Sequence, residues 1–146
     1  MRCNRKASSA VAAGCRWKCK MYELIYIHPR CVQTGRDAIV PMGILAMLSS
    51  IKRKKLGMFE AELTDGIIAD ARIFLLDIHW HFTLHTGIKL AARIRRLNPD
   101  AKIIAGGYTA SVFAKQIVRG SEIDYVVRGD AEEGLPRLIS VLLDNG

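Results

Sequence analysis

Cysteine is missing from residues 32–146. All four in the chain, Cys3, Cys15, Cys19 and Cys31, crowd into its first quarter. That distribution excludes a disulfide framework as the basis of the fold and points to a reducing, cytoplasmic setting. Cys15 and Cys19 have no matching second pair and no histidine at zinc-finger spacing. They also lack the third cysteine of a CxxxCxxC run, the pattern that holds an iron–sulfur cluster. No apolar stretch reaches the length of a membrane span, so a membrane is not an expected partner. Aromatic residues make up only 7% of the chain, and no nucleic-acid motif interleaves them with its basic clusters. Acids are absent from the first twenty residues, which carry Arg2, Arg5, Lys6, Arg16, Lys18 and Lys20. Much of the net charge of +8 is therefore local, and no nucleic acid is expected as a partner. Residues 1–20 read as a basic, disordered leader, and 21–146 as one domain.

What is present is regular. With 146 residues and 50% hydrophobic content, the chain is long enough to bury a core without staples. YELIYI (22–27) reads as a strand closed by His28-Pro29, because proline cannot donate to a ladder. A loop follows, then MGILAMLSSIKRKK with apolar residues at helical spacing up to Gly57. MFEAEL (58–63) alternates as a short strand, and ARIFLLDI (71–78) is a continuous apolar run, as in a strand covered on both faces. A helix is expected over Thr86 to Leu97, ended by Asn98-Pro99, then a strand at AKIIA, a helix from Thr109 to Val118, a strand at EIDYVV and a last helix from Ala131 to Leu143. The alternation predicts an α/β, flavodoxin-like doubly wound sheet of about five mainly parallel strands. One joint is short: only TDGIIADA lies between Leu63 and Arg72, so the second crossover is cut to about one helical turn, or MFEAEL is not a regular parallel strand.

In such a sheet, ligands bind beyond the carboxyl ends of the strands, near the switch in strand order. Polar residues, glycines and aromatics accumulate there, at His28-Pro29, Asp77-Ile78-His79-Trp80-His81, Gly106-Gly107-Tyr108 and Arg128-Gly129-Asp130. All four histidines fall in such loops. His79 and His81 alternate at strand spacing, whereas His81 and His85 are at helical spacing, and nothing in the spacing fixes a common metal. A protein-only metal site is therefore not assigned. The glycine pair in IIAGGYTAS serves either a tight turn or the close approach of something large. Simple phosphate and nucleotide readings fail at the first loop. HPR carries no acidic pair for magnesium, RCVQTGRD is a poor phosphate loop, and GxGxxG is absent.

Taken in order, DIHWxxxxH, IIAGGYTAS and IDYVVRGDAEE resemble the cobalamin-binding domain of cobalamin-dependent radical S-adenosylmethionine enzymes, over about Tyr22 to Leu143. HP after the first strand and PMGILAMLSSIKRKKLG fit the start of that domain. The resemblance implies cobalamin as cofactor, held across the carboxyl edge with its nucleotide tail in a cleft. It implies cofactor-binding roles for His28, Asp77, His79, Trp80, His85, Gly106, Gly107, Tyr108 and Gly129. Gly106 and Gly107 match the glycine pair at which a side chain would collide with the tail; His79, Trp80 and His85 match a loop beneath the corrin. The methionine-synthase type carries DxHxxG after its first strand. Here HPRCVQTG stands there, so that axial ligand is not carried over, and His79 is a candidate in its place. No barrel sequence is present, so catalysis by these residues alone is not expected; they read as a truncated product, a fragment or a separately encoded subunit, the last of which would take a radical S-adenosylmethionine barrel on a separate chain as its partner. The rival expectations are a degenerate interaction domain that has lost the cofactor, and a small cobalamin sensor.

Overall fold

A computed structural model of the chain describes residues 22–30 and 42–144. The leader, all four cysteines, the loop of residues 31–40 and Pro41 lie outside them. Five strands form one all-parallel sheet: β1 (Tyr22–His28), β2 (Lys55–Phe59), β3 (Ala71–Asp77), β4 (Lys102–Gly106) and β5 (Tyr125–Val126). Their order is β2-β1-β3-β4-β5, the flavodoxin-like arrangement that the alternation predicts. The chain steps outward from β1 to β2, then returns to the other side of β1, so the switch point lies between β1 and β3.

Side-chain alternation divides the core into two layers. Leu24, Tyr26, Ile73, Leu75 and Ile104 meet helices α1 (Met42–Ser50) and α6 (Gly134–Asp144) on one face. Ile25, Ile27, Phe74, Leu76 and Ile103 meet α2 (Asp65–Ala69), α3 (His81–Leu97), α4 (Tyr108–Val112) and α5 (Ala114–Gly120) on the other. Covered on both sides, β3 is apolar from Ile73 to Leu76, between Arg72 at its start and Asp77 at its end.

Local readings give way to strand pairing in the second βα unit. Helical spacing extended the first helix through Lys55, yet α1 stops at Ser50 and Lys55 pairs with Leu24. The edge of β1 takes KLGMF as its partner, and the ladder outweighs the helix preference of a lysine run. The expected strand MFEAEL therefore begins three residues earlier and ends at Phe59. There the Phe59 amide donates to Glu62 Oε2 at 2.9 Å and the chain makes a 3₁₀ turn over Glu60–Glu62.

The shortened crossover is real: α2 is one turn, capped by Thr64, whose hydroxyl accepts from the Ile67 amide. Buried Asn98 completes it. Its Nδ2 donates to the carbonyls of Ile68 and Ala71, 2.8 Å each, so a residue read from sequence as a helix terminator also holds the short crossover against α3. Other boundaries move too, and the last helix starts at Gly134 rather than the expected Ala131. α3 starts at His81, before the expected Thr86, and the expected helix 109–118 breaks at Phe113 into α4 and α5. EIDYVV forms only a two-residue strand, Tyr125–Val126: the Asp124 amide still donates to Ile103 O (2.9 Å), but its carboxylate takes the Ile103 amide (2.7 Å) and Arg95 (2.8 Å) where a further strand residue would pair.

Candidate functional site

At the switch point, β1 and β3 each end in a polar residue on the same face as Tyr26. Asp77 is 3% exposed and His28 8%, and their side chains meet: Asp77 Oδ2 accepts from Tyr26 Oη at 3.0 Å and from His28 Nδ1 at 3.1 Å. The His28 ring also packs edge-on against Phe59 at 5.9 Å. Two donors on one buried carboxylate offset much of the cost of holding that charge away from water.

Burial first, then the Asp77 charge and the hydrogen bond to it, push the Tyr26 phenol well above its ordinary 10.0. An unfolded tyrosine ionises near that value. The neutral phenol therefore contributes its full stability below about pH 10, and the contribution is lost as pH rises beyond it. Tyr26→Phe should flatten the alkaline limb of a plot of Tm against pH relative to wild type, read by circular dichroism. An identical limb in the two proteins would refute the coupling.

Beside this network lies a small cleft of about 40 Å³, partly open to solvent. Ile44, Met47, Leu75, Val127 and Leu135 give it apolar walls, Tyr26 and Asp77 a polar end, and Gly106 and Gly107 one side. The two glycines differ. A Cβ at Gly106 would meet nothing within 4 Å. At Gly107, with φ +105°, it would stand 2.8 Å from the backbone of Ile78 and His79. For Gly107 the chain's own backbone thus supplies a reason for glycine, in addition to the collision with a ligand expected from sequence; at Gly106 only space lies beyond the strand.

The loops are tied together by hydrogen bonds. Gly106 O accepts from the Ile78 amide at 2.8 Å, and His79 O accepts from the Thr109 amide (3.2 Å) and hydroxyl (3.0 Å). Ser111, which sequence reasoning passed over, joins the third loop. Its hydroxyl donates to Gly107 O at 2.9 Å and accepts from the Gly129 amide at 3.0 Å. Gly129 itself has φ +68° and nothing within 4 Å of its Cβ position. A serine in the first turn of a helix after Gly-Gly is a sequence signal for such a bridge, but its partner lies 18 residues away.

Asp77, Gly106 and Gly107 thus line the cleft, His28 is joined to it only through its hydrogen bond to Asp77, and Ser111 ties Gly129 to the same edge. His79 is half-buried, its ring 4.8 Å from that of Trp80, which in turn stacks on Phe82 at 6.0 Å. Trp80 is 54% and Tyr108 72% exposed, an aromatic rim on adjoining loops. His81 and His85, expected in the loop, lie exposed on α3, which starts at His81. Among the described residues, no three His, Cys, Asp or Glu side chains come together as a metal site. No described helix is long and apolar enough to cross a membrane.

No protein-family model and no curated protein matches the sequence. Solved structures do match the fold. TsrM from Kitasatospora setae, described as a radical S-adenosylmethionine methyltransferase with cobalamin and a [4Fe-4S] cluster bound, superposes with a TM-score of 0.68 at 16% identity. The match covers 85% of this chain and 25% of that one. A second TsrM structure, with tryptophan substrate and a S-adenosylmethionine analogue bound, gives a TM-score of 0.67 at 16% identity over 85% of this chain and 26% of that one. The chain therefore has the doubly wound α/β fold of a segment spanning about a quarter of TsrM.

Proposed function

We propose that this chain is a cobalamin-binding module of a radical S-adenosylmethionine methyltransferase-like system, holding the corrin at the carboxyl edge of its sheet. The observation that carries the reading is the apolar cleft at the switch point with Gly106 on its side. A Cβ there would project into space, so the strand end admits a flat, bulky group against the backbone. The fold match to a cobalamin-containing methyltransferase supports the same cofactor. The nucleotide tail would lie in the cleft, beside Gly106, Gly107 and Asp77. Trp80, with Tyr108 and His79, would give the corrin an aromatic seat, and Gly129 would let the last loop come close. His28 acts through Asp77, to which it is hydrogen-bonded. His85, exposed one turn into α3, would lie at the outer margin of this seat.

Cobalamin supplies the methyl-carrying cobalt chemistry when bound; the protein supplies position and exclusion of water. These residues carry no CxxxCxxC run, so the iron–sulfur chemistry is assigned to a radical S-adenosylmethionine barrel outside them. The test is equilibrium dialysis of the purified chain against hydroxocobalamin, followed by a visible spectrum of the retained protein. Retained corrin is the expected result, and none at high micromolar ligand would favour a degenerate interaction domain. The spectrum of His79→Ala decides the axial position: if it is identical to wild type, His79 does not ligate cobalt.

A further inference from the structure

The polar end of the cleft has a chemistry that the fold does not require. Both hydrogen bonds from described residues to the Asp77 carboxylate fall on Oδ2, one from Tyr26 and one from His28. A carboxylate offers about four acceptor positions over its two oxygens. Oδ1 is thus the oxygen left to accept from a ligand, at the end of a cleft whose other walls are apolar side chains and glycine backbone. Tyr26 has already committed its only proton to Asp77, so it presents no donor to the cleft. The buried pole is therefore acceptor-only. It favours a ligand whose inserted end carries an O–H or N–H and disfavours one that brings a lone pair or hydrocarbon alone.

We infer that Asp77 selects the nucleotide tail of the ligand by accepting a hydrogen bond from a hydroxyl or N–H on it, with Tyr26 and His28 as positioning residues that hold the carboxylate. The inference rests on the cobalamin reading above and gives it a specificity determinant. A nucleotide tail carries ribose hydroxyls, which are donors of the required kind. The corrin ring alone would not reach this pole, so Asp77 should distinguish a tailed corrinoid from a tailless one.

Asp77→Asn is the sharp variant. It keeps the shape and an acceptor for Tyr26 and His28, but places an NH₂ donor where the free oxygen was. Visible-absorbance titration of the full chain with hydroxocobalamin and with diaquocobinamide, which lacks the nucleotide tail, reads the effect. Asp77→Asn should weaken hydroxocobalamin binding about tenfold or more and leave cobinamide within about twofold. Tyr26→Phe should shift the same ligand in the same direction by less. It also carries the test if Asp77→Asn fails to fold, which thermal melting without ligand reports. Equal losses for both corrinoids, or no loss for either, would overturn the role of Asp77. Wild type binding both corrinoids equally would also overturn it, while corrin binding itself would stand. If wild type binds neither, the cobalamin reading falls, and the inference with it.

Discussion

Gly107→Ala is expected to lower folding stability by about 3 kcal/mol or more, enough to unfold much of the protein at moderate denaturant. Gly107 has φ +105° and ψ 172°, a region that residues with a side chain essentially do not enter. A methyl group there would lie 2.8 Å from His79 N, His79 Cα and Ile78 C. These are backbone atoms at the end of β3, so no rotamer change relieves the overlap. They are also tied down: Ile78 O accepts from the Ala110 amide and His79 O from Thr109, so the β3–α3 and β4–α4 loops would have to part. Urea denaturation of the unliganded chain reads the loss as a fall in midpoint. A midpoint within the error of wild type would show that this junction is not as tight as described.

Gly106→Val should do the opposite. Gly106 lies in β4 and pairs with Asp77, its φ is not positive, and its Cβ position is clear of neighbours. Valine suits a strand, so the unliganded fold should change by no more than about 1 kcal/mol. The branched side chain would project into the cleft, and overpacking a fitted site should weaken cobalamin binding by about tenfold to a hundredfold. Titration of the folded variant with hydroxocobalamin tests this. Wild-type affinity would mean that the ligand does not pass Gly106, and the cleft would lose its assignment as the tail site. The pair of variants separates the two reasons for glycine that the sequence leaves fused: Gly107 serves the chain and Gly106 the space beside it.

Much of the architecture is legible in the residues because it is dictated locally. ARIFLLDI is apolar at every position except Arg72 and Asp77, which only a strand with covered faces requires, and it is β3. Asn98-Pro99 ends α3 where expected, because proline restricts the residue before it. The short span between Leu63 and Arg72 leaves room for one helical turn, and α2 is that turn. The misjudged boundaries, by contrast, lie where a remote partner decides. Lys55 could continue a helix by propensity and joins β2 because Leu24 lies alongside it. Asp124 reads as part of a longer strand, and although its amide reaches Ile103 O, its carboxylate takes the Ile103 amide and Arg95 and ends the pairing there.

The candidate site divides in the same way. The sequence by itself determined which residues stand at the carboxyl ends of the strands, since the alternation of elements fixes the sheet and strand ends fix the loops. His28, Asp77, Gly106 and Gly107 were identifiable on that ground, and so were Trp80 and Tyr108 as aromatics beside them. Only the tertiary structure decided what they do to one another. Tyr26 and Asp77 are 51 residues apart, His28 and Asp77 49, and neither spacing carries a periodic signal. They meet because β1 and β3 become neighbours across the switch point, with register pairing Tyr26 to Leu75 and Ile27 to Leu76. One residue of slip would turn Asp77 to the opposite face and break the network. Hydrophobic pattern sets that register collectively, through Leu24, Ile73, Leu75 and Ile104 on one face and Phe74, Leu76 and Ile103 on the other. The polar pole of the cleft is thus a product of apolar packing along the whole sheet, which is why no short motif announces it.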